Sequence, residues 1–118
     1  MARTVIFYET EDGKCPLEDF LDSLHGKAAQ KVTWVLKILE ELDVVPSSYF
    51  KKLAGTDEIW ECRIVFGGDA YRILCFFSND MTVVLTHGFM KKSRKTPKAE
   101  IQKAEAYRRE FLTRRIRR

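Results

Sequence analysis

Apolar positions change their spacing along this chain, and each change predicts an element. Thr4–Tyr8 alternates weakly and is rich in β-branched and aromatic residues, which predicts a first strand. Glu11-Asp12-Gly13-Lys14 predicts a turn. Pro16 suits the first position of a helix, where its missing N–H costs nothing, and Leu17, Phe20, Leu21 and Leu24 follow on one stripe. His25-Gly26 interrupts, and a longer helix is predicted from about Lys27 to Asp43. Its apolar set is Ala28, Val32, Val35, Leu36, Leu39 and Leu42, widened by Trp34 and Ile38, a stripe broad enough to pack on a sheet. Pro46-Ser47-Ser48 ends it.

The period then falls to two. Ile59–Phe66, Ala70–Ser78 and Met81–Phe89 read as strands, joined by Gly67-Gly68-Asp69 and Ser78-Asn79-Asp80. Short connections predict an antiparallel meander with one face buried under the helices and the other open to a ligand. Pro97 opens a last helix with Thr96 as its expected N-cap, and Ile101, Ala104, Tyr107, Phe111 and Leu112 form its apolar stripe. Arg114–Arg118 is expected to fray. The reading is one α+β domain over residues 1–118, in the order β-α-α-β-β-β-α, without repeat or linker.

Composition narrows the class. With 45% hydrophobic residues in 118, the chain can build one packed core. No apolar run approaches the roughly 18 residues that span a bilayer. The four-residue apolar stretch before Glu9 is too short for a signal-peptide core, so a cytoplasmic protein is expected. Cys15, Cys62 and Cys75 are odd in number and form no CxxC pair, which favours free thiols in a reducing compartment.

Charge changes the picture more. The formal net charge of +4 hides an asymmetry: residues 1–90 hold 9 Lys+Arg against 14 Asp+Glu, and residues 91–118 hold 12 against 3. Cations concentrated in this way present a footprint for phosphate or for an acidic partner.

Strand parity locates the candidates. Trp60, Cys62, Ile64 and Phe66 share a core-like face; Ile59, Glu61, Arg63 and Val65 share the other. On the next strand Arg72 is a lone cation in an apolar run. A guanidinium there is costly unless paired or held ready for an anion, so Arg63 and Arg72 are read either as partners of Glu61 or as an anion site. Lys91, Lys92, Arg94 and Lys95 emerge from the following strand just before a helix N-terminus, a place that favours phosphate. Lys51 and Lys52 could extend the track along a nucleic-acid backbone. His87 shares parity with Val83, Leu85 and Phe89 and is expected to be a satisfied core or edge histidine, with general acid or base the lesser alternative. No carboxylate or histidine cluster has metal-ligand spacing, and there is no P-loop or G-x-S-x-G, so no metal or cofactor is expected.

These residues carry a resemblance. Ile59-Trp60-Glu61-Cys62-Arg63, Tyr71-Arg72-Ile73-Leu74 and the run from His87-Gly88-Phe89-Met90-Lys91-Lys92 to Lys95-Thr96-Pro97 resemble HigB-like toxins of phage-derived type within the RelE/ParE superfamily. The resemblance implies a toxin that acts as a ribosome-dependent, metal-independent mRNA endonuclease. It also implies a cognate antitoxin, usually a helix-turn-helix protein, with the ribosome and mRNA as further partners. By the same likeness Arg63, Arg72, Lys91 and Lys95 are the expected catalytic residues, and Lys51, Lys52, Lys92 and Arg94 the expected RNA contacts. Relatives often place a Tyr or His near the C-terminus for proton transfer, whereas Tyr107 falls on the apolar stripe, which leaves that role unassigned. ParE-like relatives share the fold but inhibit DNA gyrase without a catalytic site, the alternative activity for such a chain.

Overall fold

A computed structural model describes residues 2–117. In chain order the elements are β1 (Thr4–Phe7), α1 (Pro16–Asp22), α2 (Gly26–Glu41), β2 (Phe50–Lys52), β3 (Trp60–Phe66), β4 (Asp69–Asn79), β5 (Thr82–Lys91) and α3 (Lys98–Ile116). The strands form one sheet in the order β1-β5-β4-β3-β2, with β1 parallel to β5 and the remaining neighbours antiparallel. The α+β class, the helical hairpin, the meander and the C-terminal helix are as expected. The element order gains a strand, because β2 pairs antiparallel with β3 through Phe50, Lys51 and Lys52. Three residues are too few to show a period, and only pairing defines them as a strand.

Two layers of helix enclose the sheet. On one face α1 and α2 bury Leu17, Val32, Val35 and Leu39 against Cys62, Ile64, Ile73, Cys75, Val83 and Leu85. On the other, α3 lays Ala104, Ile101, Tyr107 and Phe111 over Tyr8, Ile59, Leu74, Phe76 and Val84. Each large side chain buried in this way contributes about 1.5–3 kcal/mol. The second face is therefore open only in part. It is covered around Phe76 and exposed toward the β3–β4 turn, where Val65 remains 64% accessible. The α2 stripe is narrower than its sequence suggests, since Trp34 and Leu42 stay largely exposed.

Local chemistry closes the elements. Gly67 and Gly68 both take positive φ, 62° and 84°, the two-residue hairpin geometry whose twist matches the flanking strands. Arg3 donates from Nη1 to the Leu42 carbonyl at 2.7 Å and from Nη2 to the Asp43 carbonyl at 3.0 Å, capping the negative end of α2. One expectation at α3 is corrected. Its N-cap is Pro97, with no side-chain cap, because the Thr96 hydroxyl is committed elsewhere. The helix runs through Ile116, where Arg114 donates from Nε to Glu110 at 2.9 Å and Arg117 pairs with Glu11. Arg118 lies outside the described residues.

At Gly88 the α1 side chain Phe20 lies directly against the sheet backbone. A Cβ there would lie 2.3 Å from the Phe20 ring. Gly88→Ala is expected to cost about 1–3 kcal/mol through overpacking. Shrinking the opposing residue as well, with Phe20→Leu, should recover part of the loss in urea unfolding; equal loss in the single and double variants would disprove the contact.

Candidate nucleic-acid interface

The centre of the open half-face is a carboxylate. Glu61 points from β3 toward the α3 side, is only 1% exposed, and gathers donors from three elements. Arg63, two residues along the same strand, donates from Nε to Glu61 Oε1 at 3.0 Å. Arg72 of β4 sets its own Nε 3.3 Å from the same oxygen, an ion pair whose N–H is not aimed well enough to count as a hydrogen bond. The Thr96 hydroxyl, in the loop between β5 and α3, donates to Glu61 Oε2. Register explains the meeting: Arg63 lies directly opposite Arg72 across the β3–β4 ladder, and Glu61 lies opposite Leu74, one same-face step away. Like charges facing each other across a ladder repel, and the intervening carboxylate offsets that repulsion.

Neither arginine is the isolated cation that parity alone could suggest. Arg72 is 8% exposed, and its Nη1 donates to the Tyr71 carbonyl at 3.0 Å. Arg63 is more open, and its terminal nitrogens have no hydrogen-bond partner among the described residues. Lys91 closes the group from β5, opposite Ala70 and on the same face. Three cations thus surround one carboxylate. Burial depresses the Arg72 guanidinium from its ordinary value, with Glu61 opposing and Arg63 adding to the depression. Lys91 is also held below the ordinary lysine range, first by desolvation and then by Arg72, with Arg63 contributing and Glu61 opposing. The site carries more positive charge than its carboxylate neutralises. An anion would relieve it.

The remaining cations divide. Lys51 lies opposite Glu61 across the β2–β3 ladder, on the same face at the sheet edge. Lys52 alternates to the opposite face and pairs with Glu58 at 3.1 Å, so it does not join the group. Lys92, Arg94 and Lys95 are exposed in the loop after β5 and make no ion pair among the described residues. That loop is shaped by a hydrogen bond from Ser93 Oγ to the Lys95 carbonyl at 2.8 Å and tied down through Thr96.

His87 is a satisfied buried histidine, but on the other face from the one parity assigned. The β4–β5 register shifts between Leu74 and Cys75: Leu74 faces His87 while Cys75 faces Leu85. Thr86 is the extra residue of a β-bulge, which turns every later side chain of β5 over. His87 and Phe89 consequently lie under α3 rather than with Val83 and Leu85. The Thr86 hydroxyl donates to the Leu74 carbonyl at 2.6 Å, and His87 Nδ1 lies 3.1 Å from the same hydroxyl oxygen. Nε2 meets Glu100 of α3 at 3.1 Å. Burial lowers the His87 pKa although Glu100 raises it, and the contact with Glu100 ties β5 to α3. Tyr107 packs on Tyr8, ring centroids 4.7 Å apart, inside the same layer. Among the described residues no group of three or more His, Cys, Asp or Glu gathers as a metal site.

Glu61 was visible in the sequence only as one possible partner for an arginine; its central place comes from cross-strand register. Glu61→Gln is expected to lower stability by about 3 kcal/mol, because it leaves buried cations without their counter-charge. The same change should move the Lys91 pKa still lower, since Glu61, which raises it, is gone. NMR titration of the Lys91 side chain checks the sign, and an upward movement would contradict the arrangement described here.

No curated protein significantly matches the chain. A family model described as "Phage derived protein Gp49-like (DUF891)" matches residues 19–109, a span that runs from within α1 through most of α3 and holds every cation of the site. The match covers more than half of the sequence, and the chain belongs to the Gp49-like family of phage-derived proteins.

Proposed function

We propose that this protein is the toxin of a toxin–antitoxin pair and that it cleaves mRNA on the ribosome without a metal. The observation that carries the reading is the surplus of cations around Glu61 on a half-open sheet face, continuous with the exposed lysines of the next loop. Family membership and the resemblance of the His87–Pro97 run to HigB-like toxins support it. Among the described residues no helix is long and apolar enough to cross a membrane.

In the proposed reaction an RNA 2′-OH attacks the adjacent phosphorus. A P–O bond forms to the 2′ oxygen and the bond to the 5′ oxygen breaks, leaving a cyclic phosphate and a 5′-OH. Arg63 and Lys91 offer the accessible donors for the phosphorane oxygens. Arg72 supplies charge from beneath, preorganised by Glu61 and the Tyr71 carbonyl. Lys95, Lys92, Arg94 and Lys51 lie where they could hold the flanking backbone. No side chain of the site is assigned as general acid or base, and the ribosome would supply the remaining positioning. An antitoxin would silence such a site by covering its cations.

Removing one preorganised cation, with Arg63→Ala or Lys91→Ala, is expected to slow cleavage of ribosome-bound message about 100-fold. Arg72→Ala should do the same at the cost of some stability. Mapping RNA ends after brief induction is the measurement. Parental rates in all three variants would remove the assignment, and DNA damage with intact message would favour gyrase inhibition instead. The pH dependence has a definite sign. If Lys91 binds phosphate as a cation, its contribution is present below its depressed pKa and is lost as pH rises through that value, earlier than for an ordinary lysine. A rate that instead climbs over the same interval would make Lys91 a base.

A further inference from the structure

Lys91 stands apart from the lysines that follow it. Lys92 and Lys95 are exposed on the loop after β5, whereas Lys91 is the last residue of the strand and is half-buried. It makes no hydrogen bond or ion pair among the described residues. Lys91 lies opposite Ala70, and Ala70 opposite Val65, so these three form one row across the sheet. The next row on the same face is Phe89, Arg72 and Arg63, about 7 Å along the strands. Ala70 contributes only a methyl group and Val65 is 64% exposed, which leaves a shallow apolar floor beside the amine, open to solvent.

Two chemical properties meet at this corner of the sheet. The terminal nitrogens of Arg63 have no partner among the described residues, a planar fork that matches the oxygens of a phosphoryl group. Arg72 adds charge beneath it, held by Glu61 and the Tyr71 carbonyl. Lys91 is desolvated and lies in the field of both guanidiniums, which favours the neutral amine over the ammonium. A neutral amine has the lone pair that a nucleophile needs. An anion seat beside a nucleophile fits a reagent that is at once an anion and an electrophile. Phosphate alone would use the first property and leave the second idle.

We infer that Lys91 is a site of Nε-acylation by small acyl phosphates, with Arg63 as the seat for the phosphate of the reagent. The Lys91 amine attacks the carbonyl carbon. A C–N bond forms, the C–O bond to phosphate breaks, and the phosphate leaves with the bonding electrons and the surplus proton of the amine. The products are an amide and inorganic phosphate, so no further co-reactant enters. Arg63 and Arg72 stabilise the charge that grows on the departing phosphate, and a short acyl chain lies over Ala70 and Val65. The amide carries no charge, which leaves two guanidiniums against the Glu61 carboxylate. That this silences RNA cleavage rests on the nuclease reading; the acylation itself does not.

The test incubates the whole chain with acetyl phosphate and reads acetyl occupancy lysine by lysine by peptide mass spectrometry. Neither RNA nor ribosomes are present, so the outcome is independent of whether the protein cuts message. Lys92 and Lys95, exposed on the adjoining loop, are internal controls. Lys91 should acetylate about tenfold faster than either, because the reagent is held beside it. Inorganic phosphate should compete that preference away, and Arg63→Gln should bring Lys91 down to the rate of the controls. With p-nitrophenyl acetate, a neutral acyl donor, the preference should shrink. Equal rates at the three lysines, a Lys91 preference unmoved by phosphate or by Arg63→Gln, or the same preference with both donors would each overturn the inference. Phosphate competition uses the unsubstituted chain, so it decides the matter even if Arg63→Gln misfolds.

Discussion

A carboxylate buried to 1% exposure keeps its charge only if donors replace the water it has lost, and Glu61 has recruited Arg63, Arg72 and Thr96 for that purpose. The rest of the site follows from this pairing. It allows two guanidiniums to face each other across one ladder, and it draws down the loop that leaves β5. Lys91 is then held in their field. Each partner comes from a different part of the chain, so the carboxylate ties β3, β4 and the approach to α3 together at one point.

The last helix is fastened at both ends by such polar contacts, and its middle is held by apolar packing. Near its start Glu100 meets His87, and Thr96 meets Glu61. Near its end Tyr8 donates to Glu110 at 2.5 Å, which Arg114 also engages. That cluster holds the Tyr8 hydroxyl above the ordinary tyrosine range, chiefly through burial and the Glu110 hydrogen bond. Between them Ala104 and Phe111 pack on the sheet. α3 thus divides its face of the sheet into a cationic half near its N-terminus and an apolar groove near its C-terminus.

How much of this was legible depended on the range of the contacts involved. The strand parity of Arg63 and Arg72, the two-glycine hairpin, Pro16 and Pro97 at helix starts, and the gathering of cations after residue 90 all follow from neighbours in sequence. The α+β class follows from the switch between helical and strand periods. These features are set by φ preferences and by which side chains share a face, and both are properties of short segments.

Tertiary structure decided whatever required two distant segments to meet. β2 exists because β3 pairs with it. The Thr86 bulge turns His87 under α3, reversing the parity read along β5. Thr96 leaves the helix cap because a buried carboxylate across the sheet binds its hydroxyl more usefully. Lys52 turns away from the cations while Lys51 stays with them. In each case the local pattern allowed more than one outcome, and cross-strand register together with the desolvation of Glu61 selected among them. The sequence by itself determined which residues could carry charge onto one face; only the fold decided which of those charges stand together.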